Sequence, residues 1–164
     1  MSRMAAGFTL VELLVTIALI AILLAIGVPS YQSVTTANRM SGEINGLVGN
    51  LQYARAEAVK QGQNVTVCAS SNGTSCSGSG TWSNGWIVVD SNNNVLKVQQ
   101  AFGGTDTLAS SGNTLSSIAY NRYGFTANSG TLTLHDQANT QTWRKCVVVS
   151  PVGELTLNSQ GACP

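Results

Sequence analysis

Residues 7–28 read GFTLVELLVTIALIAILLAIGV and form a long apolar segment near the start of the chain. From Phe8 to Val28 its only charged residue is Glu12. A helix rises about 1.5 Å per residue, so these residues would form a helix of about 31 Å, long enough to span the hydrocarbon core of a bilayer. An unpaired carboxylate in that core costs about 2.5 kcal/mol or more. We therefore predict a transmembrane helix in which Glu12 has a partner. The alternative is a plain membrane anchor with Glu12 near the lipid interface.

The residues before the apolar segment are typical of a short leader. An ordinary secretory signal has a shorter apolar stretch, and the small residues of its cleavage site follow that stretch. Here the small residues Ala5, Ala6 and Gly7 precede it, and Arg3 supplies the basic start. Cleavage after Gly7 would leave the helix on the mature chain.

The charge balance of the chain argues against a large basic surface for binding nucleic acid. Its 164 residues include 8 Lys and Arg against 7 Asp and Glu, and removal of a leader containing Arg3 would make the two numbers equal. A DNA-binding domain is usually strongly basic on at least one face. The basic residues that could form a small, weak patch are Arg122, Arg144 and Lys145.

Four cysteines follow the apolar segment: Cys68, Cys76, Cys146 and Cys163. An even number in loop-like surroundings, with no Cys-x-x-Cys pair, favours two disulfides in an oxidising compartment. Of the three pairings, Cys68–Cys76 with Cys146–Cys163 is the most local. A zinc site is disfavoured, because the spacings do not fit and His135 is the only histidine. We predict no metal site and no cofactor.

Periodic apolar residues continue beyond Pro29 at steps of three and four. They are Tyr31, Val34, Met40, Ile44, Leu47, Val48, Leu51, Ala54 and Ala58. This pattern predicts an amphipathic helix whose second half lies on a sheet, and Gly62 is a typical stop signal. The helix is expected to run from about residue 9 to 61.

After Gly62 the apolar pattern changes to the two-residue period of strands. The predicted strands are 65–67, the hairpin 85–90 with 95–98, then 131–134, 146–150 and 153–157, and the segments 70–80 and 103–113 are predicted loops. The fold class is therefore α+β, with a long N-terminal α-helix packed on a C-terminal antiparallel β-sheet head.

The N-terminal segment resembles the class III signal of type IV pilins and pseudopilins. The resemblance is carried by the short leader, the Gly7–Phe8 junction and a glutamate, Glu12, five residues into the mature chain. In that family a prepilin peptidase of the membrane cuts after the glycine and methylates the new amino terminus. The resemblance implies cleavage between Gly7 and Phe8, N-methylation of Phe8, and pairing of Glu12 with a neighbouring subunit's amino terminus as a register device for assembly.

Four segments of the remaining chain resemble the H-type pseudopilin domain of type II secretion, which FimT- and FimU-like minor pilins share. They are YARAEA (53–58), WIVVD (86–90), YNRYG (120–124) and VVSPVG (148–153). The resemblance implies a type IV pilin fold with a leader (1–7), a transmembrane and filament-core helix (8–28), an amphipathic helix (29–62) and a periplasmic β-rich head (63–164). It also implies a minor subunit that helps initiate assembly and couples tip proteins to the major subunit.

The expected partners follow from the same resemblance. They are the major pilin or pseudopilin, other minor pilins, the prepilin peptidase and the inner membrane. We expect a single-pass protein with Arg3 on the cytoplasmic side and the disulfides in the periplasm.

An enzyme is not expected, because no nucleophile motif occurs. The acids Asp90, Asp106, Asp136 and Glu154 show no catalytic spacing and are expected to be solvated at the surface.

The alternative functions are a DNA-binding minor pilin of a competence pilus and an unrelated membrane-anchored binding protein. FimT-like minor pilins bind DNA through a Gly-Arg-x-Arg motif near the C-terminus. The aligned residues here are Gly153, Glu154, Leu155 and Thr156, so both arginines are absent and an acid would repel phosphate. DNA is therefore the disfavoured ligand.

Overall fold

The computed structural model describes residues 7–110, 112 and 114–163. Residues 1–6 of the expected leader lie outside the described residues, as do 111 and 113 of the expected loop 103–113. The chain divides into two compact units, Met1–Asn38 and Arg39–Pro164, called here the N-terminal and C-terminal units. The boundary falls inside the expected amphipathic segment 29–62.

Helix α1 (Leu10–Gln61) begins and ends at recognisable signals. At its start the backbone N–H of Glu12 donates to Oγ1 of Thr9 at 3.2 Å, which is an N-cap bond. At its end Gly62 adopts a φ of 67°, and the N–H of Gln63 donates to the carbonyl of Ala58 at 3.3 Å. This is the hydrogen bond of a Schellman cap, in which glycine supplies the left-handed residue. The predicted stop at Gly62 is confirmed.

The buried face of α1 lies in the C-terminal unit. Its buried residues are Met40, Ile44, Leu47, Leu51, Ala54 and Ala58. The expected stripe was too long at its start, since Tyr31 and Val34 are 72% and 56% exposed. Periodicity shows that one face is apolar, but it does not show where the core beneath that face begins.

The described residues contain eight strands, which form two four-stranded antiparallel sheets. Their bounds are β1 Val65–Ala69, β2 Gly85–Val89, β3 Val95–Gln100, β4 Thr107–Ser110, β5 Ser117–Tyr120, β6 Gly130–His135, β7 Lys145–Val149 and β8 Leu155–Ser159. Sheet one has the order β3-β2-β1-β5, and sheet two has the order β4-β6-β7-β8. The predicted antiparallel β-rich head is confirmed, but the sequence does not indicate that it consists of two sheets.

Three details of the strand prediction are wrong. β4 lies within the expected loop 103–113, and β5 was not predicted. Both strands have four residues and mix small polar residues with apolar ones, so they give only a weak two-residue period. β8 begins at Leu155, because Gly153 has a φ of 76° and belongs to the preceding turn.

The main core combines apolar residues of α1 with the facing sides of both sheets. In β1 and β2 alternate residues enter this core, including Val67 and Val88, while Cys68 and Ile87 form a separate buried cluster on the opposite side of sheet one. The alternation follows from the pleat of the strands. Sheet one is thus buried on both sides where β1 and β2 pair.

Candidate assembly segment and interaction surfaces

The apolar segment 8–28 is exposed along its whole described length. Among the described residues, α1 is the helix that is long and apolar enough to cross a membrane, through its N-terminal part. Exposure of its large apolar side chains runs from 79% at Phe8 to 47% at Val28. A contiguous apolar surface of this size marks a membrane or protein contact. Gly7 and Phe8 precede the helix and are also exposed.

Glu12 lies in the first turn of α1. A carboxylate there interacts favourably with the positive end of the helix dipole. The spacing Thr9-x-x-Glu12 is that of a capping box, and the bond from the Glu12 N–H to Thr9 is its first half. The carboxylate itself is exposed, so this local role leaves it accessible to a charged partner.

The first disulfide joins Cys68 of β1 to Cys76, with a Cα–Cα distance of 5.5 Å. It holds the loop 70–80 against the outer side of sheet one. Within this loop the N–H of Ser77 donates to the carbonyl of Ala69 at 2.8 Å, and a Cβ added at Gly73 would be 3.2 Å from Val98 Cγ1. The loop therefore covers this side of the sheet, on which Ile87 is fully buried.

The second disulfide joins Cys146 of β7 to Cys163, which follows β8, with a Cα–Cα distance of 5.6 Å. The N–H of Gln160 also donates to the carbonyl of Arg144 at 2.8 Å. Together they fix the end of β8 to the start of β7. No cysteine in the part of the chain that the structure describes is free, and no cluster there has the ligands for a metal ion.

Arg55 connects α1 to two loops of the C-terminal unit. Its Nε donates to the carbonyl of Gly124 at 3.0 Å, and its Nη2 donates to the carbonyl of Val152 at 3.1 Å. Gly124 and Gly153 have φ of 77° and 76°. A Cβ added at Gly153 would be only 2.0 Å from the carbonyl oxygen of Gly124. We call this group, Arg55 with Gly124, Val152 and Gly153, the Arg55 junction.

The Arg55 junction explains why three of the resembling segments occur together. Arg55 belongs to YARAEA, Gly124 to YNRYG and Gly153 to VVSPVG. The resemblance identifies these segments in the sequence, but it does not explain why they have this composition. The available signal is a glycine at the end of each of the two loop segments, Gly124 and Gly153, since such glycines often provide positive φ or close approach.

Asp106 is buried, which corrects the expectation that it is a solvated carboxylate. It is 4% exposed and accepts two hydrogen bonds from Arg39, from Nε at 2.6 Å and from Nη2 at 2.9 Å. The bond with Asp106 raises the pKa of Arg39. Glu43 lies beside the same carboxylate. Its pKa is raised to about 7, first by partial burial and then by repulsion from Asp106 and a hydrogen bond with it. No local sequence pattern signals this cluster, because Asp106 is far from α1 along the chain.

The residues of the expected basic patch occupy two places. Arg122 lines a surface cleft of about 470 Å³ and lies over the ring of Tyr123 at 5.5 Å. Arg144 donates to Oδ1 of Asn139 at 2.9 Å, and its neighbour Lys145 begins β7. The loop that carries Arg122 enters β6 at Gly130, which pairs with the opposite end of β7. The N–H of Thr126 in that loop also donates to the carbonyl of Pro151, which follows β7, whereas Arg144 and Lys145 lie at the start of β7.

Two family models match the chain. Residues 43–153 match the model described as type II transport protein GspH, and residues 2–28 match the prokaryotic N-terminal methylation motif. The first match covers more than half of the chain. The chain belongs to the GspH family. No curated protein sequence matches it significantly.

Solved structures of two proteins illustrate the shared fold of this GspH-family chain. One is the type IV minor pilin FimU of Pseudomonas aeruginosa, at 19% identity and a TM-score of 0.64, over 77% of this chain and 93% of FimU. The other is the minor pseudopilin EpsH of the type 2 secretion system of Vibrio cholerae, at 14% identity and a TM-score of 0.56, over 75% of this chain and 98% of EpsH. The predicted type IV pilin fold is confirmed.

The family assignment and the fold define the class of the protein. It is a member of the GspH family of type II transport proteins, with an N-terminal methylation motif and the type IV pilin fold. The matched structures are a minor pilin and a minor pseudopilin and not enzymes, as the sequence predicts for this chain. None of the matches supports the DNA-binding alternative.

Proposed function

We propose that this GspH-family protein is anchored in the inner membrane as a precursor, matured between Gly7 and Phe8, and incorporated into a type IV pilus or type II pseudopilus. There it helps initiate assembly and couples tip proteins to the major subunit. The observation that carries the proposal is the exposed apolar helix 8–28 on the same chain as a folded, disulfide-bonded unit. Such a helix is stable in lipid before assembly and against other apolar helices after it.

The partner of Glu12 in this proposal is the amino terminus of Phe8 in a neighbouring subunit. A carboxylate in a low-dielectric environment is strongly penalised, and an ammonium group beside it offsets much of that penalty. The exposed position of Glu12 in the first turn is compatible with such a contact. Because the pair forms in one relative position of two helices, it would set the register of assembly.

The proposed location of the C-terminal unit is the periplasm. Disulfides persist in oxidising compartments, and both disulfides lie in this unit. The proposed partners are the major subunit, other minor subunits and the prepilin peptidase, which acts on Gly7–Phe8 and methylates Phe8.

Substitution of Gly7 tests maturation. Gly7→Leu should block cleavage, because a bulky side chain would replace the glycine at the proposed cleavage site. The readout is gel mobility of the full chain in cells that make the prepilin peptidase. Gly27→Leu is the matched control, since it introduces the same side chain within the apolar segment and should leave cleavage intact. Normal processing of Gly7→Leu would exclude the proposed site.

Substitution of Glu12 tests the register role. Glu12→Ala should be processed normally but should be recovered at least about tenfold less in sheared filaments, since removing one partner of a buried ion pair leaves the other charge unpaired, at a cost of about 3–5 kcal/mol. Thr9→Ala removes the capping partner and keeps the charge, so it should assemble nearly normally. Equal defects in Glu12→Ala and Thr9→Ala would mean that Glu12 acts only on the helix start. Normal recovery of Glu12→Ala would contradict the register role altogether.

A further inference from the structure

β8 is an edge strand, and within the described part of the chain no strand pairs with its outer side. Two backbone hydrogen bonds, one before and one after β8, show which residues of β8 are hydrogen bonded to β7. The N–H of Ser150 donates to the carbonyl of Glu154 at 3.0 Å, and the N–H of Gln160 donates to the carbonyl of Arg144 at 2.8 Å. Bonded and non-bonded pairs alternate in an antiparallel ladder, so with the observed register every second residue of β8 bonds to β7. The backbone groups of the others point outward: Leu155, Leu157 and Ser159.

Two of the other sheet edges are covered by the chain itself. Along β4, the N–H of Ser110 donates to the carbonyl of Gly80 at 3.2 Å, and the N–H of Trp82 donates to the carbonyl of Leu108 at 2.7 Å. Along β5, Tyr120 forms a bridge with Thr126. These contacts occupy backbone N–H and C=O groups of the edge strands that could otherwise bond to another chain.

The β3 edge is open but carries features that oppose strand addition. Lys97 lies in the middle of this strand, and the register shifts between Val88 and Val89 of its neighbour. Charged residues and bulges are the usual protection of natural edges. β8 has the sequence Leu-Thr-Leu-Asn-Ser, with no charge, no proline and no shift of register. It is therefore the unprotected edge of the two sheets.

The side chains of β8 specify what could bind there. Leu155 pairs with Val149 and Leu157 with Val147, so both leucines lie on the core side of sheet two. Leu157 is nevertheless 49% exposed, because no strand lies beyond it. An added strand with apolar residues on that side would extend the core and cover Leu157. The turn at Gly153 and the Cys146–Cys163 disulfide hold both ends of the edge in place.

We propose that the outer edge of β8 binds an extended strand of another subunit, with apolar residues alternating on the core side and polar residues on the other. This is recognition by β-strand addition, in which main-chain hydrogen bonds give affinity and alternate side chains give specificity. A five-residue edge is much smaller than the roughly 1,000 Å² that a stable interface between free proteins buries. A partner tethered alongside has an effective concentration in the millimolar range, at which a small contact suffices. The inference therefore rests on the proposed function, because co-assembly supplies the tether.

Site-specific photo-crosslinking of the full chain in cells that make the filament tests this inference. A benzophenone amino acid at Ser159, the exposed last residue of β8, should cross-link to an extended segment of a different pilin-like subunit, located by mass spectrometry. The same label at Gln100, the exposed last residue of β3, is the matched control and should give at least tenfold less product.

Two substitutions at Leu157 block the edge in different ways. Leu157→Pro removes an outward N–H that the ladder to β7 does not use, and proline is tolerated at such positions. Leu157→Lys keeps the N–H and adds a charge. Both should reduce the Ser159 cross-link at least tenfold while both disulfides still form. A cross-link to a second copy of this chain, to a helix or to a loop, or one that survives both substitutions, would overturn the inference.

Recovery in sheared filaments separates this inference from the function on which it rests. A chain that reaches filaments at the normal level without a Ser159 cross-link overturns strand addition alone. A chain that never reaches filaments contradicts the proposed function and the inference together.

Discussion

At the residue scale, two carboxyl groups, Glu43 and Asp106, lie near one guanidinium, that of Arg39. Asp106 is hydrogen bonded by Arg39 and is fully buried at its side chain. Glu43 is left without a cation of its own, and its pKa is raised to about 7 by partial burial and by Asp106. The folded protein therefore holds a proton on Glu43 more tightly than the unfolded chain does.

Glu43→Gln should make stability less dependent on pH. A raised carboxyl pKa favours the folded state below the unfolded pKa, near 4.5, and this contribution is lost as the pH rises to about 7. Glutamine stays neutral, so the variant should be more stable than the wild type at pH 8 and close to it at pH 4.5. Urea unfolding of the full chain in detergent, followed by tryptophan fluorescence, measures this.

Glu57→Gln is the matched control for Glu43. The pKa of Glu57 is lowered by hydrogen bonds from Gln61 and Lys60. The sign is therefore opposite, and this variant should gain no stability at pH 8. If Glu43→Gln and Glu57→Gln behave alike across the pH range, the environment assigned to Glu43 is wrong.

At the scale of elements, the sequence predicts structure best where the signal is local. The end of α1 follows from Gly62, and the β2–β3 hairpin follows from two apolar strands around a polar turn. The candidate assembly residues Gly7, Phe8 and Glu12, which stay a prediction, also come from one short segment. β4 and β5 were missed because they are short and because their pairing with β6 and β1 is decided by distant residues.

The Arg55 junction could not be predicted from local patterns. It joins α1 to two loops that are far away in the sequence, and no periodicity relates them. The same reason applies to Arg39, Glu43 and Asp106. From the sequence, the segments around Arg55 were recognised only through their resemblance to a family. The hydrogen bonds that connect these segments are visible only in the structure.

Gly153→Ala should destabilise the junction. The new Cβ would be 2.0 Å from the carbonyl oxygen of Gly124, and the φ of 76° is unfavourable for alanine. We expect a loss of at least about 2 kcal/mol in the free energy of unfolding, measured by urea unfolding with circular dichroism.

Gly49→Ala provides the comparison for Gly153→Ala. Gly49 lies in α1, and a Cβ there would have nothing within 4 Å. This variant should gain up to about 1 kcal/mol, since alanine favours a helix over glycine. Unchanged stability of Gly153→Ala would show that the two loops can separate at no cost.

At the scale of the whole molecule, the C-terminal unit has its own core and both disulfides. We predict that a fragment of residues 35–164 is soluble and unfolds cooperatively. It lacks the apolar segment and keeps every buried residue of α1, from Met40 to Ala58. Thermal unfolding by circular dichroism, with a thiol titration for the disulfides, measures this.

A shorter fragment, residues 50–164, tests whether the first part of the buried helix face is required. It lacks Arg39, Met40, Ile44 and Leu47, so Asp106 would lose its partner and the core would lose three large side chains. Large core deletions cost several kcal/mol each, which exceeds the stability of most domains when summed. Cooperative unfolding of this fragment would contradict the assigned core.

The hydrogen bonds of Arg55 also bear on the order of folding. They join residues that are 69 and 97 positions apart, whereas the Cys68–Cys76 disulfide spans eight. Contacts between distant residues form slowly, because the entropy of closing a long loop is lost before the contact can stabilise the chain. The Arg55 contacts should therefore form after the rate-limiting step. Interactions absent from the transition state govern the unfolding rate, so Arg55 acts chiefly on how long the folded chain persists.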